Sequence, residues 1–376
     1  MVLTTSIITL TLTACYVGLI LFLIRGWKKL KDFHVDGKIP KTRVSIIIAA
    51  RNEEENIAFT IEDILRQTYS KHLYELIVID DHSTDRTAEI ISSYANQGVK
   101  LIKLNESEKL NSYKKKAIAE AIQISSGELI VTTDADCRMG SQWLATVVGC
   151  FEQHQYQLIS SPVAYFQEKN TFEKMQTLEF SFLIGLGASG IGNKIPSTCN
   201  GANLAYRKDV FFEVDGFKGI DDLASGDDEL LLHKIAARYP GQIGFCKSKD
   251  AVVYTQAKEN LSEFIKQRKR WASKSTKYKD KRMVVIAVCV WLFNLSFLLN
   301  LITGFFVLDI LKLFCAQYII KIFMELYFLR GVTSFNNRRD LLKYIPVLTF
   351  IHSIYIVFIG VAGNTGKYDW KGRMVK

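Results

Sequence analysis

Three stretches without a charged side chain constrain this chain before anything else: Ser6 to Ile24, Met283 to Leu308 and Tyr344 to Gly363. A spanning helix needs about 20 apolar residues to cross a hydrocarbon core of about 30 Å, and each stretch is close to that length or longer. A fourth stretch, Asp309 to Leu329, is apolar on balance but carries Asp309, Lys312, Lys321 and Glu325. Charges within a membrane segment are costly and usually face protein or a cavity. This stretch is therefore a helix packed in a bundle or one lying at the interface, and spanning is the preferred reading.

The first run has no basic segment ahead of it and no small-residue cleavage site, and Arg25, Lys28, Lys29 and Lys31 follow it directly. That is the pattern of an uncleaved anchor rather than a signal peptide. The positive-inside rule then gives an anchor over 1–25 with its amino terminus outside and a cytoplasmic domain over 26–282. A membrane region of two or three helices follows over 283–365, with a basic tail over 366–376. Past Arg282 the rule divides. Arg330, Arg338, Arg339 and Lys343 share one loop while Lys367, Lys371, Arg373 and Lys376 share the tail, and three spans place the groups on opposite sides.

The net charge of +10 fits a face turned to anionic lipid, so the bilayer is the expected partner and nucleic acid is not. Seven cysteines occur without a CxxC pair, which indicates neither a disulfide framework nor a zinc ribbon. Both features suit an integral membrane protein of a bacterial inner membrane with a reduced, cytoplasmic working domain.

From Arg43 to Cys137, short β-branched runs alternate with helical stretches, the pattern of βαβ units and a parallel sheet. The strand-like runs are Val44 to Ala50, Leu73 to Ile79, Val99 to Leu104 and Glu128 to Thr132. Helix-like segments run from Glu53 to Arg66, Thr84 to Tyr94 and Lys114 to Ile124, the second opened by Ser83 and Thr84 as caps. Ligands of such sheets bind beyond the carboxyl ends of the strands. Arg51-Asn52-Glu53-Glu54-Glu55, Asp80-Asp81-His82-Ser83 and Asp134-Ala135-Asp136 follow three of these runs. One acidic cluster alone is a cap or a solvated turn; three at one edge need a cation or a base to contact. Asp134 and Asp136 are two hard oxygen donors at a strand end, a set suited to Mg²⁺ or Mn²⁺ beside a diphosphate.

Asp227 and Asp228 follow Gly226 and precede Glu229-Leu230-Leu231-Leu232, a loop entering a buried helix that Asp227 is placed to cap. Gly185-Leu186-Gly187-Ala188-Ser189-Gly190 has the GxGxxG form but follows no first βαβ strand, so it reads as a flexible or membrane-apposed loop instead of a dinucleotide site.

Taken together, Val44 to Glu54, Asp80 to Ser83, Asp134 to Asp136, Ser225 to Leu230 and Gln267-Arg268-Lys269-Arg270-Trp271 resemble the inverting glycosyltransferase family 2, over roughly Arg43 to Trp271. The resemblance implies an α/β class, a GT-A nucleotide-sugar-binding domain with a Rossmann-like mixed sheet, flanked by transmembrane helices. It implies that Ala50, Arg51, Glu53 and Asp81 line the nucleotide pocket, with Asp134 on the ribose side and Asp134 and Asp136 on the metal. Lys114 matches a family lysine that contacts the donor, although the glycine usual before it is Tyr113 here. The catalytic base falls on Asp228, Arg270 meets the donor diphosphate, and Asn203, Asp227, Gln267 and Trp271 lie on the acceptor side.

The implied activity moves a sugar from a UDP-sugar to a glycolipid or polyprenyl-linked acceptor, with a processive polysaccharide synthase as the competing reading. Polyprenyl-phosphate sugar synthases share the fold but usually lack QxxRW. A membrane-tethered nicotinamide oxidoreductase leaves the carboxylates without a task, and a non-catalytic scaffold needs none of these motifs together.

Overall fold

A computed structural model describes residues 2–35, 40–105, 112–223, 225–274, 278, 280–362, 368–370 and 373–375. Of the basic tail, Lys367, Lys371 and Lys376 lie outside the described residues. The chain folds as two compact units that are discontinuous in sequence: Met1–Lys28, Lys169–Ser189 and Lys258–Gly366 form one, and Lys29–Glu168, Gly190–Ala257 and Lys367–Lys376 the other.

The second unit is a mixed α/β layer structure. Its elements are β1 (Val44–Ala50), α2 (Ile57–Leu65), β2 (Tyr74–Asp80), α3 (Thr87–Ser93), β3 (Val99–Lys103), α4 (Tyr113–Ile124), β4 (Leu129–Asp134), β5 (Arg138–Met139), α5 (Trp143–His154), β6 (Leu158–Ser160) and β7 (Val163–Tyr165). After α6 (Thr171–Gly192), which belongs mainly to the other unit, come β8 (Leu204–Arg207), α7 (Lys208–Glu213), α8 (Glu229–Arg238), β9 (Ile243–Phe245) and β10 (Val253–Thr255). Seven strands make one sheet in the order β3-β2-β1-β4-β8-β6-β9, and β5-β10-β7 make a second. Strands β3, β2, β1 and β4 run parallel, while β8 is antiparallel to β4 and β6.

The central strands read as continuous apolar runs because both faces are covered. Ile46, Ile47 and Ile48 are each no more than 1% exposed, and burying one such side chain stabilises by about 1.5–3 kcal/mol. Glu75 fastens the opening ends of these strands. Its carboxylate accepts from Ser45 Oγ of β1 (2.6 Å), Lys100 Nζ of β3 (2.6 Å) and the Ser126 backbone N–H (2.6 Å) just before β4.

In the other unit, α1 (Val2–Lys29), α10 (Lys281–Gly304) and the segment Arg339–Ala362, which contains α12 (Ile345–Ala362), are long and apolar enough to cross a membrane. With them are most of α6, α9 (Leu261–Ser273) and α11 (Leu308–Phe335). Lys321 and Glu325 of α11 are both buried. Lys321 Nζ donates to Asn294 Oδ1 of α10 (2.9 Å) and Ser353 Oγ of α12 (2.8 Å), and lies 3.5 Å from Glu325. Glu325 accepts from Tyr16 of α1 (2.7 Å) and from Thr349 of α12. Both charges have partners, as burial away from water demands.

The GxGxxG segment is neither a flexible loop nor a dinucleotide turn: all of Gly185 to Gly190 lies within helix α6. A Cβ at Gly185 would sit 2.7 Å from Val332 Cγ2 and 3.0 Å from Phe328, so glycine there lets α6 lie close against α11. Leu178 of α6 joins Leu329, Leu341 and Ile345 in one apolar cluster. This packing draws Lys169–Ser189 out of an otherwise continuous domain and into the helical unit.

Burial acts to raise the pKa of Glu75, but Lys100, the Ser126 N–H and the two serine hydroxyls outweigh it and bring it to about 2. A depressed carboxylate stabilises the fold above its unfolded pKa of 4.5 and loses that contribution as pH falls toward about 2. Glu75→Gln is expected to lower stability by about 1–3 kcal/mol at neutral pH. Thermal unfolding of detergent-solubilised protein should show the gap from wild type closing below pH 4.5.

Candidate active site

The register of the parallel strands brings the acidic ends together. Ala50 of β1 pairs with Asp80 of β2, and Ala49 pairs with Asp134 of β4. Asp134 is the last residue of β4 and not the first beyond it, so the strand itself fixes the backbone from which its carboxylate extends.

The loops after β1 and β2 are sewn to each other. Arg51 Nη1 donates to the carbonyls of Asp81 (2.8 Å) and His82 (2.9 Å), and the Asp81 N–H donates to Ala50 O (2.8 Å). Asn52, with φ of 50°, accepts from the Thr84 N–H through its side chain at 2.9 Å. The left-handed backbone suits asparagine better than most non-glycine residues. Glu53 accepts from Asn56 Nδ2 (3.2 Å), at the entry to α2. Asp81 is only 1% exposed and has His82 Nδ1 at 3.1 Å. The structure thus gathers Ala50, Arg51, Glu53 and Asp81 at one sheet edge. The caps of α3 differ from expectation: Asp85, not Ser83 or Thr84, accepts from the Thr87 N–H (3.0 Å), and α3 starts at Thr87.

Asp227 and Asp228 reach the same edge through the turn into α8. Gly226 has φ of 85°, a conformation that only glycine adopts freely. The cap of α8 is Asp228 and not Asp227: Asp228 Oδ1 accepts from the Glu229 N–H at 2.6 Å. Its Oδ2 accepts from the Gly201 N–H at 3.0 Å. Asp227 is free of that duty because Lys114 takes it. Lys114 Nζ lies 2.8 Å from Asp134 Oδ1 and 3.2 Å from Asp227 Oδ2, one ammonium bridging the two acidic groups. Burial pushes the Lys114 pKa down, but Asp134, then Asp227, outweigh it and hold it above the usual lysine range.

Asn203 is held inside the domain by its side-chain amide. It is 1% exposed, receives a hydrogen bond from Trp143 Nε1 (3.0 Å) and donates to Pro162 O (2.8 Å) and Ala251 O (2.7 Å). These bonds join core segments. Gln267, Arg270 and Trp271 lie on α9, in the helical unit. Arg268 of α9 is buried: it pairs with Glu179 and sits over the rings of Phe264 (4.7 Å) and Trp271 (4.2 Å). Gln267 Oε1 is buried without a hydrogen-bond partner among the described residues.

Residues 45–214 match the family described as Glycosyl transferase family 2. These residues form a family 2 glycosyltransferase domain. The chain is 32% identical over 148 residues to the β-monoglucosyldiacylglycerol synthase of Nostoc sp., covering 39% of this chain and 31% of that protein. It is 25% identical over 381 residues to a Bacillus subtilis protein named "Probable glycosyltransferase YdaM", covering 89% and 86%, and 24% identical over 236 residues to the poly-β-1,6-N-acetyl-D-glucosamine synthase of Staphylococcus epidermidis, covering 61% and 53%. The chain spans about a third of the length of the first of these relatives. In fold it resembles a mannosyltransferase from Pyrobaculum calidifontis solved with GDP-Man and Mn²⁺, at a TM-score of 0.61, 18% identity and coverage of 96% and 98%. The mixed sheet of the family 2 domain is therefore a GT-A fold.

The donor set of the domain fits a divalent cation. No group of three His, Cys, Asp or Glu side chains that could cage a metal occurs among the described residues. Asp134 and Asp136 instead offer hard oxygens from one strand end, the arrangement in which Mg²⁺ or Mn²⁺ takes its remaining ligands from phosphate and water. Asp136 Oδ2 accepts from Thr255 Oγ1 at 3.4 Å, which helps to orient it. That the Asp134 carboxylate already draws an ammonium to 2.8 Å marks a spot where positive charge is wanted.

Thr255, the Gly201 N–H and Arg268 escaped sequence reading. Each matters through tertiary contact, and only Arg268 carried a local signal, its place within QxxRW. With Lys114→Met, Asp134 and Asp227 lose their shared counter-charge. Mn²⁺ should then raise the melting temperature of the variant more than that of wild type; equal increments would show that ammonium and metal do not substitute for one another.

Proposed function

We propose that this chain is an inverting glycosyltransferase. It moves a sugar from a UDP-sugar to a glycolipid or lipid-linked acceptor at the cytoplasmic face of a bacterial inner membrane. The observation that carries the reading is the bridging of Asp134 and Asp227 by Lys114, which sets a metal-suited pair and a base-suited pair side by side at the nucleotide edge of a GT-A sheet. The glycolipid named for the Nostoc relative supports a lipid acceptor, as do three helices able to span a membrane.

In the proposed reaction, Ala50, Arg51, Glu53 and Asp81 receive the nucleotide. Asp134 and Asp136 would hold the divalent cation, which would supply neutralisation of the diphosphate as it leaves. Asp228 takes the proton of the acceptor hydroxyl while that oxygen bonds to the anomeric carbon and the bond from that carbon to the UDP oxygen breaks. Both of its oxygens are fixed by backbone N–H groups, at 2.6 and 3.0 Å. The acceptor and diphosphate roles that the resemblance implies for Gln267, Arg270 and Trp271 fall on residues of α9, and α11 joins the spanning helices.

Detergent-purified protein given membrane lipid extract and a panel of UDP-sugars should release UDP from one of them with Mn²⁺ or Mg²⁺ and stop when EDTA is added. Asp228→Asn should lower kcat by about 10²–10⁴-fold. A product of one added sugar is expected; a ladder of long products would instead establish the polysaccharide synthase reading, which the Staphylococcus relative favours.

A further inference from the structure

The lysine run that opens α4 divides its work within one turn. Lys114 faces the carboxylates, as described, and Lys116 reaches along the surface to Glu120 at 2.9 Å. Lys115 turns inward and is 1% exposed. Its ammonium donates to Ile220 O at 2.5 Å, Leu223 O at 2.7 Å and Ser225 O at 2.8 Å. An ammonium has three protons, and all three are committed to the backbone of the segment that leads into Gly226, Asp227 and Asp228. A buried lysine with no carboxylate in direct contact is costly unless its hydrogen bonds repay the burial. Here they go to a short stretch of chain in which no described residue belongs to a strand or helix.

We propose that Lys115 is a positioning residue for the transferase reaction: it straps the Ile220 to Ser225 segment to the first turn of α4 and thereby sets where Asp228 stands. The inference rests on the reading of Asp228 as base. The geometry supplies the lever. Lys114, one residue earlier, holds Asp227 from the side chain, so consecutive residues on one rigid helix grip the acidic turn by its backbone and by its carboxylate. Burial pushes the Lys115 pKa down to about 8, against the opposing pull of Asp227, Asp228, Asp222 and Asp221, so the strap is predominantly charged at neutral pH. A shift of even 1 Å in a reacting group costs about 10²-fold in rate, which is the scale on which a slackened strap would register.

The structure also provides a reporter that does not require turnover. The Gly201 N–H bonds to Asp228 Oδ2, so its hydrogen exchange reads whether the carboxylate remains in place. The experiment compares wild type, Lys115→Met and Lys115→Arg for UDP binding with Mn²⁺, for kcat and KM with whichever UDP-sugar supports turnover, and for exchange at Gly201. Lys115→Met is expected to bind UDP as wild type does, to lose kcat by about 10²-fold and to exchange Gly201 faster, while Lys115→Arg, which keeps charge and donors, recovers part of both. Unchanged Gly201 exchange, unchanged kcat, loss of UDP binding alongside the other effects, or Arg performing no better than Met would each overturn the proposal. Failure of both variants to fold would do so too, by making Lys115 a residue of the scaffold. Asp228→Asn run in parallel separates the two ideas: if it retains kcat, the base assignment fails, whereas Gly201 exchange in Lys115→Met still reports on the strap.

Discussion

Parallel strands that end in aspartates create a problem of like charge, and the ammonium of Lys114 answers it. Asp134 arrives on β4, Asp227 on the turn into α8, and neither is distant enough from the other to be indifferent. Without an interposed cation the carboxylates at the edge of this sheet would repel one another. With it, Asp134 and Asp227 are held to one ammonium, at 2.8 and 3.2 Å. The first turn of α4 is thus as much part of the site as the strand ends.

Much of this was legible in the sequence, for a specific reason. A strand buried on both faces must be apolar throughout, so Val44 to Ala50 announces itself, and chemistry concentrates where such a run stops. Residues whose position depends on a fold-wide contact were not legible. Asn203 shows this: nothing in the sequence foretells that its amide bonds Trp143 and two carbonyls from distant segments. The choice between Asp227 and Asp228 as helix cap turned on a single residue of register, which only the Glu229 N–H decides. In Lys114-Lys115-Lys116, identical letters conceal three tasks, since about 100° of helical rotation separates each residue from the next.

The helical unit shows the same contrast. Composition alone offered a bundle or an interface for the charged stretch in α11. Its two buried charges, Lys321 and Glu325, sit one helical turn apart and find partners on α1, α10 and α12, whereas Asp309 and Lys312 pair at 2.9 Å at its exposed start. A segment with charges distributed in this way is built to pack among helices. The QxxRW stretch likewise drew attention to Arg270, while the interior charge is Arg268, covered by Trp271 and paired with Glu179.

The central claim is that Asp134 and Asp136 hold the metal at the nucleotide edge of this sheet. Crystals of the purified protein grown with UDP and Mn²⁺, with diffraction collected at the manganese edge, test it directly. The account predicts one anomalous peak coordinated by carboxylate oxygens of this pair and by oxygens of the diphosphate. Bound UDP with the manganese peak elsewhere, or with no peak at all, would contradict it.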